Sequence, residues 1–91
     1  MAVDEKLLAR ARRNPVDLTF EEAVTLAEQL GWEKPRPRGS HKIFHHPAAP
    51  KIRNLYPQPL NLQRGKDGKA KGYQVCQMIK MAEAMGIIKA E

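Results

Sequence analysis

Two helices with complete start and stop signals flank a stretch broken by proline and glycine, and this pattern constrains the fold more than anything else in the chain. Thr19-Phe20-Glu21-Glu22 is a capping box. Thr19 is placed to cap the first turn, and Glu22, three residues on, to reach back to it. Leu18 just outside is set to pack on Ala23 as a hydrophobic staple. Phe20, Ala23, Val24, Ala27 and Leu30 recur at helical spacing, and Gly31 suits the left-handed position past a helix end. A second helix is predicted from Tyr73 to Met85, with a stripe of Val75, Met78, Ile79, Ala82 and Met85 and a stop at Gly86. Val24, Leu30, Val75, Ile79 and Ala82 are expected to be buried in one shared core.

The stretch between them reads as strands. Trp32 to Arg38 carries Pro35 and Pro37, so it is an edge strand or an extended segment. Gly39-Ser40 is a turn signal, and His41 to His46 is a strand. Alternation puts His41, Ile43 and His45 on one face and Lys42, Phe44 and His46 on the other. The sequence does not distinguish which face is core. Pro47-Ala48-Ala49-Pro50 is a loop. Lys51 to Tyr56 has strand character, and Leu60 to Gln63 continues it past Pro57 and Pro59 as a third strand with a break or bulge. Residues 64–72 are glycine-rich and basic, a flexible loop that either contacts phosphate or is a solvated connection. Helix, three strands, helix implies an α+β sandwich: an antiparallel sheet with both helices on one face and the other face open to a ligand or partner.

At the N-terminus, Asp4 to Arg13 is a short basic helix with Asp4 as N-cap, and Asn14-Pro15 ends it. Leu7 and Leu8 are its only large apolar residues. Residues 1–17 are expected to form a basic arm that packs loosely or docks on something else, either RNA-contacting or simply solvated, before a domain over 18–91. The 91 residues hold one small domain, and the net charge of +6 favours a nucleic acid or an acidic protein as partner, unless it serves solubility alone. The single cysteine, Cys76, excludes a disulfide within the chain and is expected to be at least half-buried. With no apolar run of roughly 18 residues and no signal-like N-terminus, the expectation is a cytoplasmic protein with no membrane partner.

The chemistry on offer is narrow. His41, His45 and His46 lack a neighbouring cysteine or carboxylate, and His46 alternates away from the other two, so neither a metal nor another cofactor is expected. Ser40 and His41 point to opposite faces, which argues against a serine hydrolase. What remains is one titratable imidazole among cations, suited to a polyanion with a proton to lose. RNA offers phosphate and a 2′-hydroxyl. His41 would take that proton, while Arg36, Arg38, Lys42, Lys66, Lys69 and Lys71 would meet the phosphate charge. Composition and spacing alone also describe a strand-end histidine with ordinary hydrogen bonds, and favour that reading.

Gly31-Trp32, the run Arg38-Gly39-Ser40-His41-Lys42-Ile43-Phe44-His45-His46-Pro47 and the closing helix together resemble the HicA family of toxins from toxin–antitoxin pairs, over about residues 18–88. The resemblance implies a double-stranded-RNA-binding-like fold and a ribosome-independent, metal-independent mRNA interferase. His41 matches the family's catalytic histidine, and Gly39 and Ser40 match the turn that presents it. A HicB-type antitoxin is the implied protein partner. The longer stretch from Pro57 to Gly72 and the N-terminal arm mark a longer branch of the family. A non-catalytic RNA-binding module of the same fold, or a basic protein-interaction domain, stands as the alternative.

Overall fold

The computed structural model describes residues 3–33, 41–46 and 60–89, with positions 41–43 given by their backbone. Along the chain run α1 (Glu5–Arg13), a 3-10 turn (Pro15–Asp17), α2 (Phe20–Gln29), β1 (His41–Phe44), β2 (Leu60–Gln63) and α3 (Gly72–Ala84). The fold is α+β.

Both ends of α2 form as their residue types dictate. The Thr19 hydroxyl accepts the Glu22 N–H at 3.1 Å, and Glu22 Oε1 accepts the Thr19 N–H at 3.0 Å. Leu18 and Ala23 are both fully buried, as the staple requires. At the other end Gly31 has φ +104°. The Trp32 N–H donates to the Ala27 carbonyl and the Gly31 N–H to the Glu28 carbonyl, each at 3.0 Å, which is the Schellman closure. α3 ends the same way at Gly86, φ +75°, with Ile87 donating to Ala82 and Gly86 to Glu83. The buried stripe of α2 is Phe20, Ala23, Leu26, Ala27 and Leu30. Val24 is half-buried rather than core, because α2 is turned so that Leu26, on the opposite flank of the stripe, faces the core instead. On α3, Val75, Met78, Ile79 and Ala82 are buried as expected, joined by Gln74 and Met81, while Met85 is half-buried. Cys76 is exposed, contrary to expectation, since it lies outside that stripe.

β1 and β2 are antiparallel, with His41 opposite Gln63, Lys42 opposite Leu62, Ile43 opposite Asn61 and Phe44 opposite Leu60. Phe44, Leu60 and Leu62 share one face and are fully buried with the stripes of α2 and α3. That face is therefore the core face. Positions 41, 43 and 45 fall on the opposite one, where His45 is exposed. Among the described residues the ladder has two strands, not the expected three. The Glu33 N–H donates to the His45 carbonyl at 2.7 Å, a single antiparallel bridge where the edge strand was expected to begin. Residues 34–38, the loop 47–50 and the segment Lys51 to Tyr56 lie outside the described residues.

The N-terminal segment corrects another expectation, because it does not pack loosely. Leu7, Leu8 and Ala11 join the common core, the alanine completing an i, i+3, i+4 stripe that the two leucines begin. Such a short helix is marginal alone and draws its stability from this docking. Polar bonds fix it further. Arg10 Nη1 lies 2.7 Å from Glu22 Oε2, Arg12 Nη2 lies 3.3 Å from Glu83 Oε2, and the Asp4 N–H donates to Gln29 Oε1 at 2.9 Å. The Arg10 hydrogen bond holds the Glu22 carboxyl below the usual range and raises the guanidinium in turn. No helix among the described residues is long and apolar enough to cross a membrane.

Gly31 and Gly86 share a left-handed conformation but not their surroundings. A Cβ on Gly31 would lie 2.6 Å from His46 Nε2, whereas one on Gly86 meets nothing within 4 Å. Gly86→Ala should therefore cost only the backbone strain of about 1–2 kcal/mol. Gly31→Ala should cost distinctly more, and His46→Ala should relieve the excess in a double-mutant cycle read by urea denaturation. Equal costs for the two glycine variants would contradict this account of the α2 terminus.

Candidate functional site

β1 begins at His41, and its register partner Gln63 is held from the far side by α3. The Gln63 N–H donates to Gln74 Oε1 at 2.8 Å. Gln74 Nε2 lies within donating distance of Gln63 Oε1 at 3.2 Å and of the Tyr73 hydroxyl at 3.4 Å. Gln74 is only 2 % exposed, the one buried polar residue among those described. A buried amide needs partners, and this one finds them on the strand edge. Two residues further along the chain, just past β2, the Gly65 N–H donates to the Lys69 carbonyl at 2.8 Å. The edge of β2 away from β1 is thus closed by a side chain and then by the returning chain.

That return is an ordered hairpin, which corrects the expectation of a flexible basic loop. The Gly68 N–H donates to the Gly65 carbonyl at 3.1 Å, Asp67 Oδ1 accepts the Lys69 N–H at 3.0 Å, and Gly68 has φ +80°. A tight turn closed by a left-handed glycine is the chemistry that Lys66-Asp67-Gly68 supplies. Arg64 pairs with Ala70, and Lys69 with Thr19. The Phe20 N–H donates to the Gly68 carbonyl and the Ala70 N–H to the Leu18 carbonyl, each at 3.0 Å, so the hairpin is tied to the start of α2. Arg64 ion-pairs with Glu21 and lies 4.9 Å from the centre of the Phe20 ring. Its hydrogen bond holds the Glu21 carboxyl below the usual range.

Because Gln63 runs directly into Arg64, the ladder places His41 and the basic hairpin at the same end. Lys42 follows His41 in β1, opposite the buried Leu62, so position 42 falls on the core face, away from that of position 41, and is not brought together with it as a phosphate contact. Lys66 is exposed at the hairpin tip, and Lys71 is exposed at the N-cap of α3. Lys69 is half-buried, with Nζ 3.5 Å from Asp17 Oδ1. The expected phosphate contacts Arg36, Arg38, Gly39 and Ser40 lie outside the described residues.

The other two histidines belong elsewhere. Four residue steps along the strand direction separate positions 41 and 45, a distance of about 13 Å. His46 is half-buried with Nε2 3.0 Å from the Leu30 carbonyl. A carbonyl only accepts, so that nitrogen donates. The His46 ring meets Trp32 edge to face, 4.9 Å between centroids at 87°. It secures the end of α2. Among the described residues, no three His, Cys, Asp or Glu side chains are grouped so as to hold a metal ion.

Sequence reading missed Gln74 and Tyr73. A glutamine one residue before the apolar stripe of a helix is a faint signal of a buried amide, and only the position of Gln63 gives it meaning. No protein-family model matches the chain, and neither a curated protein nor a solved structure proves significantly similar to it.

Gln74→Met keeps an unbranched side chain of similar length but leaves the Gln63 N–H without its acceptor. It should lower stability by about 1–3 kcal/mol. In native-state hydrogen exchange the Gln63 amide should lose protection while Gly65, bonded to the Lys69 carbonyl, keeps it. Undiminished protection at Gln63 would show that the clamp does not hold this edge.

Proposed function

We propose that this chain is a HicA-type toxin, a metal-independent endoribonuclease that cleaves mRNA through His41. The observation that carries the reading is the register of the ladder, in which position 41 opens a strand on the face away from the core, at the end where the basic hairpin begins. The order α2, β1, β2, α3 fits a helix–strands–helix sandwich. The bridge from Glu33 to His45 supports a third, edge strand and with it the double-stranded-RNA-binding-like form of that sandwich.

On this reading the His41 imidazole takes the proton of a 2′-hydroxyl. The freed oxygen forms a bond to the adjacent phosphorus while the bond to the 5′-oxygen breaks. The leaving oxygen then accepts a proton, which the imidazolium can return. Lys66, Lys69, Lys71 and the arginines Arg36 and Arg38 would offset charge on the phosphoryl oxygens, with Gly39 and Ser40 forming the turn before the strand. Lys69 is already ion-paired with Asp17, so Lys66 and Lys71 are the freer contributors from the hairpin. A HicB-like antitoxin would inhibit by covering the outer sheet face, with acidic groups opposite the basic end. The proposed setting of this pair is the cytoplasm.

His41→Ala should lower the rate of RNA cleavage by at least about 10²–10⁴-fold while RNA binding persists, because the cations remain. Wild type and variant are compared on one RNA, with and without a chelator, with folding checked by circular dichroism. Equal cleavage by a folded His41→Ala protein would defeat the mechanism. Loss of wild-type cleavage on chelation would point to a metal instead. RNA bound but cut by neither protein would favour the non-catalytic binding module.

A further inference from the structure

Three large apolar side chains are exposed among the described residues, and two of them flank Gly72: Val16 and Tyr73, each 60 % exposed. Gly72 is what lets the valine approach the start of α3. A Cβ there would lie 2.5 Å from Val16 Cγ1, so the valine rests on the bare backbone at the start of α3. Tyr73 is not loose, since its hydroxyl lies 3.4 Å from Gln74 Nε2, the same amide that holds Gln63. The surroundings are cationic. Lys71 occupies the N-cap position of α3, Lys69 precedes it in the hairpin return with its ammonium paired to Asp17, and the first turn of α3 carries no acidic residue.

We infer that Tyr73 is a stacking platform for an unpaired nucleobase of the RNA, with Val16 beside it and Lys66 and Lys71 meeting the flanking phosphates. An exposed ring held at its hydroxyl and set among lysines has the two features that single-stranded nucleic acid seeks: a flat apolar surface and a positive track. A base inside a duplex is already stacked and does not present a free face, so the platform selects single-stranded segments. Gln74 bonds both Tyr73 and Gln63, and Gln63 is the register partner of His41. Gln63 thus lies between the anchor of Tyr73 and position 41, and a strand stacked on Tyr73 reaches position 41 by crossing β2 at Gln63. This inference rests on the RNA reading proposed above and specifies the form of RNA taken.

The test uses the full chain carrying His41→Ala, so that bound RNA stays intact. A fluorescent single-stranded RNA of about a dozen nucleotides, within the usual site size, is titrated against a duplex of the same sequence. Tyr73→Ala should weaken single-strand binding about 5- to 150-fold, the worth of one stacked base. Tyr73→Phe and Tyr73→Trp should bind within about threefold of the parent, since they keep a stacking surface. The salt slope should be unchanged in Tyr73→Ala, yet fall by about one for each of Lys66→Gln and Lys71→Gln. Cys76, exposed one turn further along α3, supplies a second readout: RNA should slow its alkylation in the parent protein and not in Tyr73→Ala. Unchanged affinity in a folded Tyr73→Ala protein, or duplex bound as tightly as single strand, would overturn the platform and leave the RNA reading standing. Failure of the parent to bind either RNA would overturn both.

Discussion

The amide of Gln74 is the point on which the candidate site depends. Two antiparallel strands of four residues are marginal on their own, and each exposes an edge of unpaired backbone groups. β1 covers one edge of β2. On the other edge there is no neighbouring strand at Gln63 among the described residues, and Gln74 stands in for one, accepting the backbone N–H and bonding the side chain as well. An unpaired N–H at that half-buried position would carry a desolvation penalty. The same glutamine sits in the buried stripe of α3, so the ladder cannot shift against the helix without breaking those bonds. The register that sets His41 opposite Gln63 is held through this contact.

Around that clamp the core is organised by helix ends rather than by helix middles. The start of α2 receives two backbone hydrogen bonds from the hairpin region through Leu18 and Phe20, and its end is gripped by His46 through the Leu30 carbonyl. Both contacts join distant parts of the chain at places where a helix has unsatisfied backbone groups to offer. α1 closes a third side, its leucines and alanine in the core and its arginines paired with acids on α2 and α3. Acidic residues thus serve internal contacts repeatedly, at Asp17, Glu21, Glu22 and Glu83. Lys66 and Lys71 are left exposed beside the end of the ladder.

What could be read from the sequence follows the same division. The capping box at Thr19, the glycine stops at Gly31 and Gly86, the N-cap at Asp4 and the strand beginning at His41 were legible because local chemistry decides them. Docking of α1 was not, since Leu7 and Leu8 gain meaning only once Ala11 is seen to complete their stripe against two other helices. Residues 64–72 read as flexible because glycine and lysine permit many conformations. The order there comes from backbone bonds to Leu18 and Phe20, far away in sequence. Val24 and Leu26 are both apolar and flank the stripe of Phe20, Ala23, Ala27 and Leu30 on opposite sides, so a small rotation of the whole helix decides which is buried, and periodicity alone does not resolve it. Of the candidate site, the glycine-serine-histidine run was legible as a motif. The burial of Phe44 was needed to say that position 41 lies on the outer face, and Tyr73 and Gln74 emerged only with the tertiary structure.

The central functional claim is that a side chain of this protein activates the substrate's own 2′-hydroxyl, so that water is not the nucleophile at the phosphorus. The two routes leave different ends on the cut RNA. Attack by the 2′-oxygen closes a five-membered ring on the upstream fragment and releases a 5′-hydroxyl on the downstream one. Attack by water, with or without a metal, leaves no cyclic phosphate. Mass spectrometry of the fragments from a single cut by the wild-type chain, taken early in the reaction, separates them. The account predicts a 2′,3′-cyclic phosphate and a 5′-hydroxyl, and a downstream fragment carrying a 5′-phosphate would contradict it.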